Sequence, residues 1–261
     1  MFLSSLEKEI SAQYLKNGFV VVKVDDFKKL EKIKNFFVKE IINSYFKKIK
    51  NNEDVLNNFH KYITIADLNN FRVNIINKMN KINDLRETYY SISKKYLDII
   101  VGNELSMQKR INLSIQLPRD NSSLLPIHSD TWSGDSPFEV VVWMPLVDCY
   151  KTKSMYILSP KKLNLVHSIF KKNLTTDSLF KKIKKHVKWL NVKYGEILIF
   201  NQNLPHGNIV NKEKETRWSF NCRFKSIFAP HGDKKIGEFF EPITLKPASK
   251  IGMQYKYPNI K

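Results

Sequence analysis

"LPIHSDTWSGDSPFEVVVWMPL", residues 125–146, sets His128 and Asp130 one residue apart and then runs into an apolar stretch. The pair is either two thirds of a metal site or a coincidence that six histidines in 261 residues allow. The decision rests on residues elsewhere in the chain.

A third candidate ligand lies in "YGEILIFNQNLPHGNIVN", residues 194–211. Gly195 and Glu196 read as a turn, "ILIF" as a strand, and His206 follows between Pro205 and Gly207. Eleven residues on, Arg217 opens another strand with Trp218 and Ser219. Two neutral imidazoles and one carboxylate on one face of Fe(II) leave three positions open. Those positions suit a bidentate 2-oxo acid and then dioxygen. The far carboxylate of 2-oxoglutarate, buried at the end of its slot, calls for a planar two-pronged cation, which guanidinium supplies better than ammonium. Alternation sets Arg217 and Ser219 on one strand face. Arg223 shares that face and competes for the same carboxylate, but reads as a surface or packing arginine.

The net charge of +19 is spread along the chain, with local density at Lys47–Lys50 and Lys181–Lys185. A dispersed excess of lysine reads as a solvated surface, with attraction to an anionic substrate or partner as the lesser reading. No apolar run approaches the roughly 20 residues that span a bilayer. The N-terminal "MFLSSLEKEI" meets Glu7 and Glu9 too early for a secretory apolar region, so the cytoplasm is the expected location. Cys149 and Cys222 form no CxxC and read as reduced thiols.

Residues 3–16 carry Leu3, Leu6, Ile10 and Leu15 at near-helical spacing, closed by Gly18. "GFVVVKV", 18–24, predicts a strand. From Phe27 a helix is expected to bury Leu30, Ile33, Phe36, Phe37, Ile41 and Ile42. Residues 51–100 are mostly helical in character, with Asn-rich breaks at 51–58 and 69–70. "KRINLSIQLP" alternates strictly, with Arg110, Asn112, Ser114 and Gln116 on one side, facing either solvent or a polar cavity. Further strands are expected at 138–147, 154–158, 196–200 and 217–228, with one helix over 176–190 burying Leu179, Phe180, Ile183, Val187 and Leu190. Helices followed by many short strands predict one α+β domain over 1–261, built on a β-sandwich or barrel. Its parts are a mainly helical 1–105 with one strand, a core at 106–230 and an extension at 231–261.

Taken together these features resemble the Fe(II)/2-oxoglutarate-dependent oxygenases of the phytanoyl-CoA dioxygenase-like branch. The shared elements are His128 and Asp130; Gly195, Glu196, Phe200 and His206; Arg217 and Ser219; the strand "VVWMPLVD"; and the opening "YLKNGFVVVKV". There is also a likeness to oxygenases encoded with bacterial surface-carbohydrate genes. The resemblance implies a double-stranded β-helix (jelly-roll, cupin-like) core with N-terminal and flanking helices. It implies iron on His128, Asp130 and His206, and 2-oxoglutarate on Arg217 and Ser219. Asn112 and Gln116 are candidate contacts to cosubstrate or substrate, and Arg110 to an anionic substrate. The implied reaction couples decarboxylation of 2-oxoglutarate to succinate and CO2 with hydroxylation of a small polar metabolite, such as a sugar or nucleotide-sugar. Halogenation is disfavoured because Asp130 supplies a carboxylate. Where the family carries a Gly-Gly turn and "PGSH", this chain has "KTKSMYILSPKK", which leaves the substrate open. Trp132 and Trp143 read as core or wall, Tyr156 as packing, and His60, His167, His186 and His231 carry no assigned role. Two other readings remain: a cupin-like metalloenzyme that does without 2-oxoglutarate, and a basic nucleic-acid-binding protein, which no RRM, KH or helix-turn-helix pattern supports.

Overall fold

Glu7 N–H donates to Ser4 Oγ, and Ser4 N–H donates to the Glu7 carboxylate at 2.7 Å. This capping box starts helix α1 (Ser5–Asn17), which Gly18 ends in left-handed backbone at φ 77°. The computed structural model describes residues 2–49, 54–170 and 174–258. Lys50, Asn51–Glu53 of the Asn-rich break, and the last three residues of the C-terminal extension lie outside them.

From Gly18 the chain enters β1 (Phe19–Lys23), then the helices α2 (Phe27–Tyr45), α3 (Ile65–Met79) and α4 (Leu85–Ile100). Helix α2 buries Leu30, Ile33, Phe37 and Ile41, but Phe36 is only half-buried and Ile42 is exposed. The stripe is narrower than the sequence pattern implies. Ile42 sits about 100° further round the helix than Ile41, beyond the row that meets the core.

The strands follow as β2 (Leu105–Gln108), β3 (Asn112–Gln116), β4 (Val140–Pro145) and β5 (Tyr156–Leu158). After α5 (Leu163–Ile169) and α6 (Thr176–Ile183) come β6 (Val187–Trp189), β7 (Glu196–Asn201), β8 (His206–Gly207), β9 (Arg217–Ser226) and β10 (Phe240–Pro242), with α7 (Pro247–Gln254) last. The single helix expected over 176–190 is therefore wrong beyond Ile183. Val187–Trp189 pairs antiparallel with β5, Tyr156 opposite Trp189, because an open strand edge offers Val and Trp a hydrogen-bonded ladder that outweighs their helical spacing.

A seven-stranded sheet runs β1-β7-β4-β9-β2-β10, with β3 also on β9, and a three-stranded sheet runs β6-β5-β8. The larger sheet thus takes β1 from the helical N-terminal part and β10 from the C-terminal extension. Strand β9 organises it: β4 lies on one side, β3 and β2 on the other. Its even-numbered Trp218, Phe220, Cys222 and Phe224 are fully buried. Trp218 and Phe220 meet Phe37 of α2 at ring-centroid distances of 5.8 and 5.3 Å, and Phe224 stacks on Tyr89 of α4 at 6.4 Å. Truncating one such ring to Ala costs about 3–5 kcal/mol. Helices thus seal the outer face of the sheet, and the odd-numbered face of β9 is left for the interior. This is a double-stranded β-helix, with the small sheet closing over the large one.

Candidate active site

His128 and His206 are joined through their backbones. His128 N–H donates to His206 O at 3.0 Å, and His206 N–H donates to His128 O at 2.8 Å. That paired bridge sets the two imidazoles side by side, ring centroids 4.3 Å apart. Each Nδ1 faces a carbonyl oxygen: Pro126 O at 2.9 Å from His128 and Leu204 O at 2.8 Å from His206. A carbonyl only accepts, so Nδ1 carries the proton and each Nε2 keeps a free lone pair. Asp130 N–H donates to Gln202 O at 3.2 Å, which holds the next residue but one in place. Ligand atoms of His128, Asp130 and His206 all lie within 4.8 Å of one another, and among the described residues this is the sole such grouping of three His, Cys, Asp or Glu side chains.

The electrostatics suit a cation. Burial pushes His206 down to about 4, with repulsion from His128 adding to it, so its ring is neutral at ordinary pH. Burial alone would raise the Asp130 carboxyl. The close approach of His128 and His206 and the charge of Arg223 outweigh it and hold Asp130 far below the usual carboxylate range.

The odd-numbered face of β9 points into the space between the sheets. Register places Gln116 opposite Arg217, Ser114 opposite Ser219 and Asn112 opposite Asn221 on β3, while Trp143 of β4 lies beside Asn221. A cavity of about 310 Å³ is lined by Ser114, Trp143, Arg217 and Asn221 of the large sheet and by His206 and Gly207 of the small one. Arg217 is 3% exposed. Its Nη2 donates to Ser114 Oγ at 2.9 Å and Nη1 to Ser154 O at 3.4 Å, and burial lowers its pKa to about 10. Its Nε, Ser219 Oγ and Ser154 Oγ are buried donors without a partner, and Gln116 Oε1 is an acceptor without one. The other arginine of the cavity, Arg72, is neutralised by Asp120 at 3.6 Å. Arg217 has no such carboxylate among the described residues.

Several sequence-derived expectations are redistributed. Gln116 is fully buried and donates through Nε2 to Ile209 O, whereas Asn112 is exposed and bonds Asn221 rather than lining the cavity. Arg110 is exposed. Trp143 is cavity wall, Tyr156 packs on Phe180 and Trp189, and Trp132 is 38% exposed against Phe170, neither core nor wall. Arg223 is the clear correction: it is no surface arginine, because its Nη2 lies 3.0 Å from Asp130 Oδ1 and its Nε donates to Gln202 Oε1 at 3.0 Å. Six residues of extended strand, about 20 Å, separate it from Arg217, so the two serve opposite ends of the interior. Ser154, Gln202 and Asn221 were not singled out from sequence, and Ser114 was named only as one residue of a polar strand face. Ser114 and Asn221 were readable as continuations of the alternating faces. Ser154 and Gln202 arrive from loops and carried no signal.

No family model and no curated protein matches the sequence. Solved structures do. The non-heme monooxygenase ThoJ, as its nickel complex, is 13% identical, with a TM-score of 0.55 over 90% of this chain and 84% of its own. AviO1 from Streptomyces viridochromogenes Tue57 is 12% identical, with a TM-score of 0.54 over 88% of this chain and 100% of its own. The epimerase SnoN, in complex with Fe3+, alpha ketoglutarate and nogalamycin RO, is 11% identical, with a TM-score of 0.50 over 93% and 96%. The likeness is one of fold. No helix of the described residues is long and apolar enough to cross a membrane.

Proposed function

We propose that this chain is a non-haem Fe(II)- and 2-oxoglutarate-dependent oxygenase acting on a small polar or anionic molecule. His128, Asp130 and His206 hold the iron, and Arg217 takes the distal carboxylate of 2-oxoglutarate. One observation carries the reading: a single cavity is bounded by His206 of the metal-binding group and by a buried guanidinium that has no counter-ion. A buried, uncompensated charge is costly, so its retention needs an anion that arrives from outside. The fold shared with ThoJ and with SnoN, one solved with nickel and the other with Fe3+ and alpha ketoglutarate, supports it.

The donor set suits the group: two imidazoles whose Nδ1 atoms face carbonyl oxygens, with one ionised carboxylate, are the donor types of a facial set for Fe(II). When bound, iron and 2-oxoglutarate supply the oxidising chemistry through reductive activation of O2. The chain's own residues bind and orient. Arg217 offers its fork and its unpaired Nε to the carboxylate, and Ser219 Oγ and Ser154 Oγ offer two further hydrogen bonds. Ser114 fixes the guanidinium plane. Gln116 Oε1 cannot meet a carboxylate, since both are acceptors. Trp143, Met155 and Phe200 exclude water from the slot. Cys149 and Cys222, both buried and unpaired, suit a reducing compartment such as the cytoplasm. The polar residues Ser122, Ser123, Asn208 and Arg72 among those lining the cavity support a sugar or nucleotide-sugar as substrate.

Anaerobic addition of Fe(II) and then 2-oxoglutarate tests the reading. A weak visible charge-transfer band is expected in wild type and not in Asp130→Ala. A folded wild type that gives no band refutes it, and a metal-loaded enzyme indifferent to 2-oxoglutarate returns the chain to the cupin-like alternative.

A further inference from the structure

Asp130 is not left to the metal alone. Arg223 Nη2 lies 3.0 Å from its Oδ1, the oxygen that also faces His128 Nε2 at 3.5 Å. Arg223 is in turn held on three sides. Its Nε donates to Gln202 Oε1, its guanidinium lies 3.6 Å from Asp135 Oδ2, and it sits over the Phe239 ring at 5.8 Å. Gln202 is fixed independently: its Nε2 donates to Glu139 Oε2 at 2.9 Å and to Ser136 O at 3.0 Å, and its backbone carbonyl accepts from Asp130 N–H. Asp135, 5% exposed, takes an ion pair at 2.6 Å from Lys234, whose Nζ also lies over Phe239 at 4.8 Å. The signs alternate, Asp130, Arg223, Asp135, Lys234, from the candidate metal centre out to the C-terminal segment.

We infer that Arg223 is a positioning residue for the metal-binding carboxylate, and that the C-terminal segment around Lys234 and Phe239 braces it. The inference rests on the iron site proposed above. A carboxylate buried beside two imidazoles has several rotamers open to it, and a hydrogen-bonded cation on one oxygen selects one of them. The same cation compensates the charge of Asp130 before metal arrives, so the site need not rearrange to accept it. Arg suits this place better than Lys, because three acceptors at different angles need a rigid fork. Arg217 and Arg223, on one face of one strand, thereby divide the work: the first lacks a counter-ion and waits for an anion, the second is saturated by the protein.

Titration with Co(II), read by its visible d–d absorption and by the affinity, tests this without turnover. Arg223→Gln is expected to bind Co(II) about 10–100-fold more weakly, with a shifted d–d spectrum. Arg223→Lys should recover part of the affinity, and Lys234→Met should show a smaller loss in the same direction. Circular dichroism and thermal unfolding of each variant report on the fold. A folded Arg223→Gln with wild-type affinity and spectrum overturns the inference. Should that variant not fold, Arg223→Lys decides: wild-type affinity with an unshifted spectrum overturns it equally. A wild type that binds no Co(II) removes the iron site itself, an outcome separate from variants that match a metal-binding parent.

Discussion

Arg217 donates one N–H to Ser114 Oγ at 2.9 Å while its Nε, in the same buried guanidinium, meets nothing. Two of its five N–H donors are committed, to Ser114 Oγ and Ser154 O, and Nε is left without a partner. On the proposed reading, the arrangement should cost stability in the ligand-free chain and return it when an anion binds.

Arg217→Met should separate these effects. Removing an uncompensated buried charge is expected to leave ligand-free stability unchanged or raise it by about 1–4 kcal/mol. Wild type with metal should gain about 2.7 kcal/mol from 2-oxoglutarate at a hundred times its Kd, and the variant none. Denaturant unfolding under argon, with and without 2-oxoglutarate, measures both. Equal ligand stabilisation in the two proteins would remove Arg217 from the site.

His206 should make the metal-free protein acid-sensitive above the range of carboxylate titration. Its folded pKa, about 4, lies below the ordinary histidine value of 6.5. Between those values the unfolded chain binds a proton that the folded one refuses, so stability is complete above pH 6.5 and falls as pH drops toward 4. The full difference corresponds to at most about 3.5 kcal/mol. Asp130, also lowered, acts with the same sign at still lower pH. Urea midpoints at pH 7 and 4.5 should differ clearly in wild type and much less in His206→Gln. His231, lowered by burial, leaves a remnant of the slope.

Gly207 admits no side chain. A Cβ there would stand 2.7 Å from Leu125 O and 2.8 Å from Tyr156 Oη, and the first of these is backbone. Gly207→Ala is expected to lose about 1–3 kcal/mol by overpacking. It should also part His206 from His128, lowering Co(II) affinity, since the two-residue strand β8 carries both the glycine and His206. Unaltered metal affinity in the variant would show that the bridge tolerates the shift.

Lys153 ties the turn at Asn57, between α2 and α3, to the segment just before β9. Its fully buried side chain donates to Asn57 Oδ1 at 2.6 Å and to Glu215 Oε2 at 2.7 Å, two residues before Arg217. Lys153→Ala should cost about 1–3 kcal/mol. Glu215 is 40% exposed on its side chain and can turn to water, so the loss should fall short of a fully buried pair. Thermal unfolding checks the stability, and a 2-oxoglutarate titration checks whether Arg217 shifts with it.

The strands that alternate strictly or run apolar, β3, β4, β7 and β9, were legible because side-chain direction in a strand is a local property with period two. The same periodicity put Arg217, Ser219 and Arg223 on one face. It could not say what each would meet there. The role of Arg223 depends on Asp135 and Gln202, from two separate loops, and on a C-terminal segment that sequence treats as an appendage. The strand Val187–Trp189 was hidden for a similar reason: its ladder partner is Tyr156–Leu158, some thirty residues away.

From the sequence came the residue types and the face that each strand residue shares: His128, Asp130 and His206 with imidazole and carboxylate to offer, and Arg217 on one strand face with Ser219. That His128 and His206 share a backbone bridge, and that among the described residues Arg223 meets carboxylates while Arg217 meets none, came from the three-dimensional arrangement alone. Those are facts of distance between segments far apart in the chain. Coulombic and hydrogen-bond energies depend on that distance and on burial, neither of which a local pattern contains.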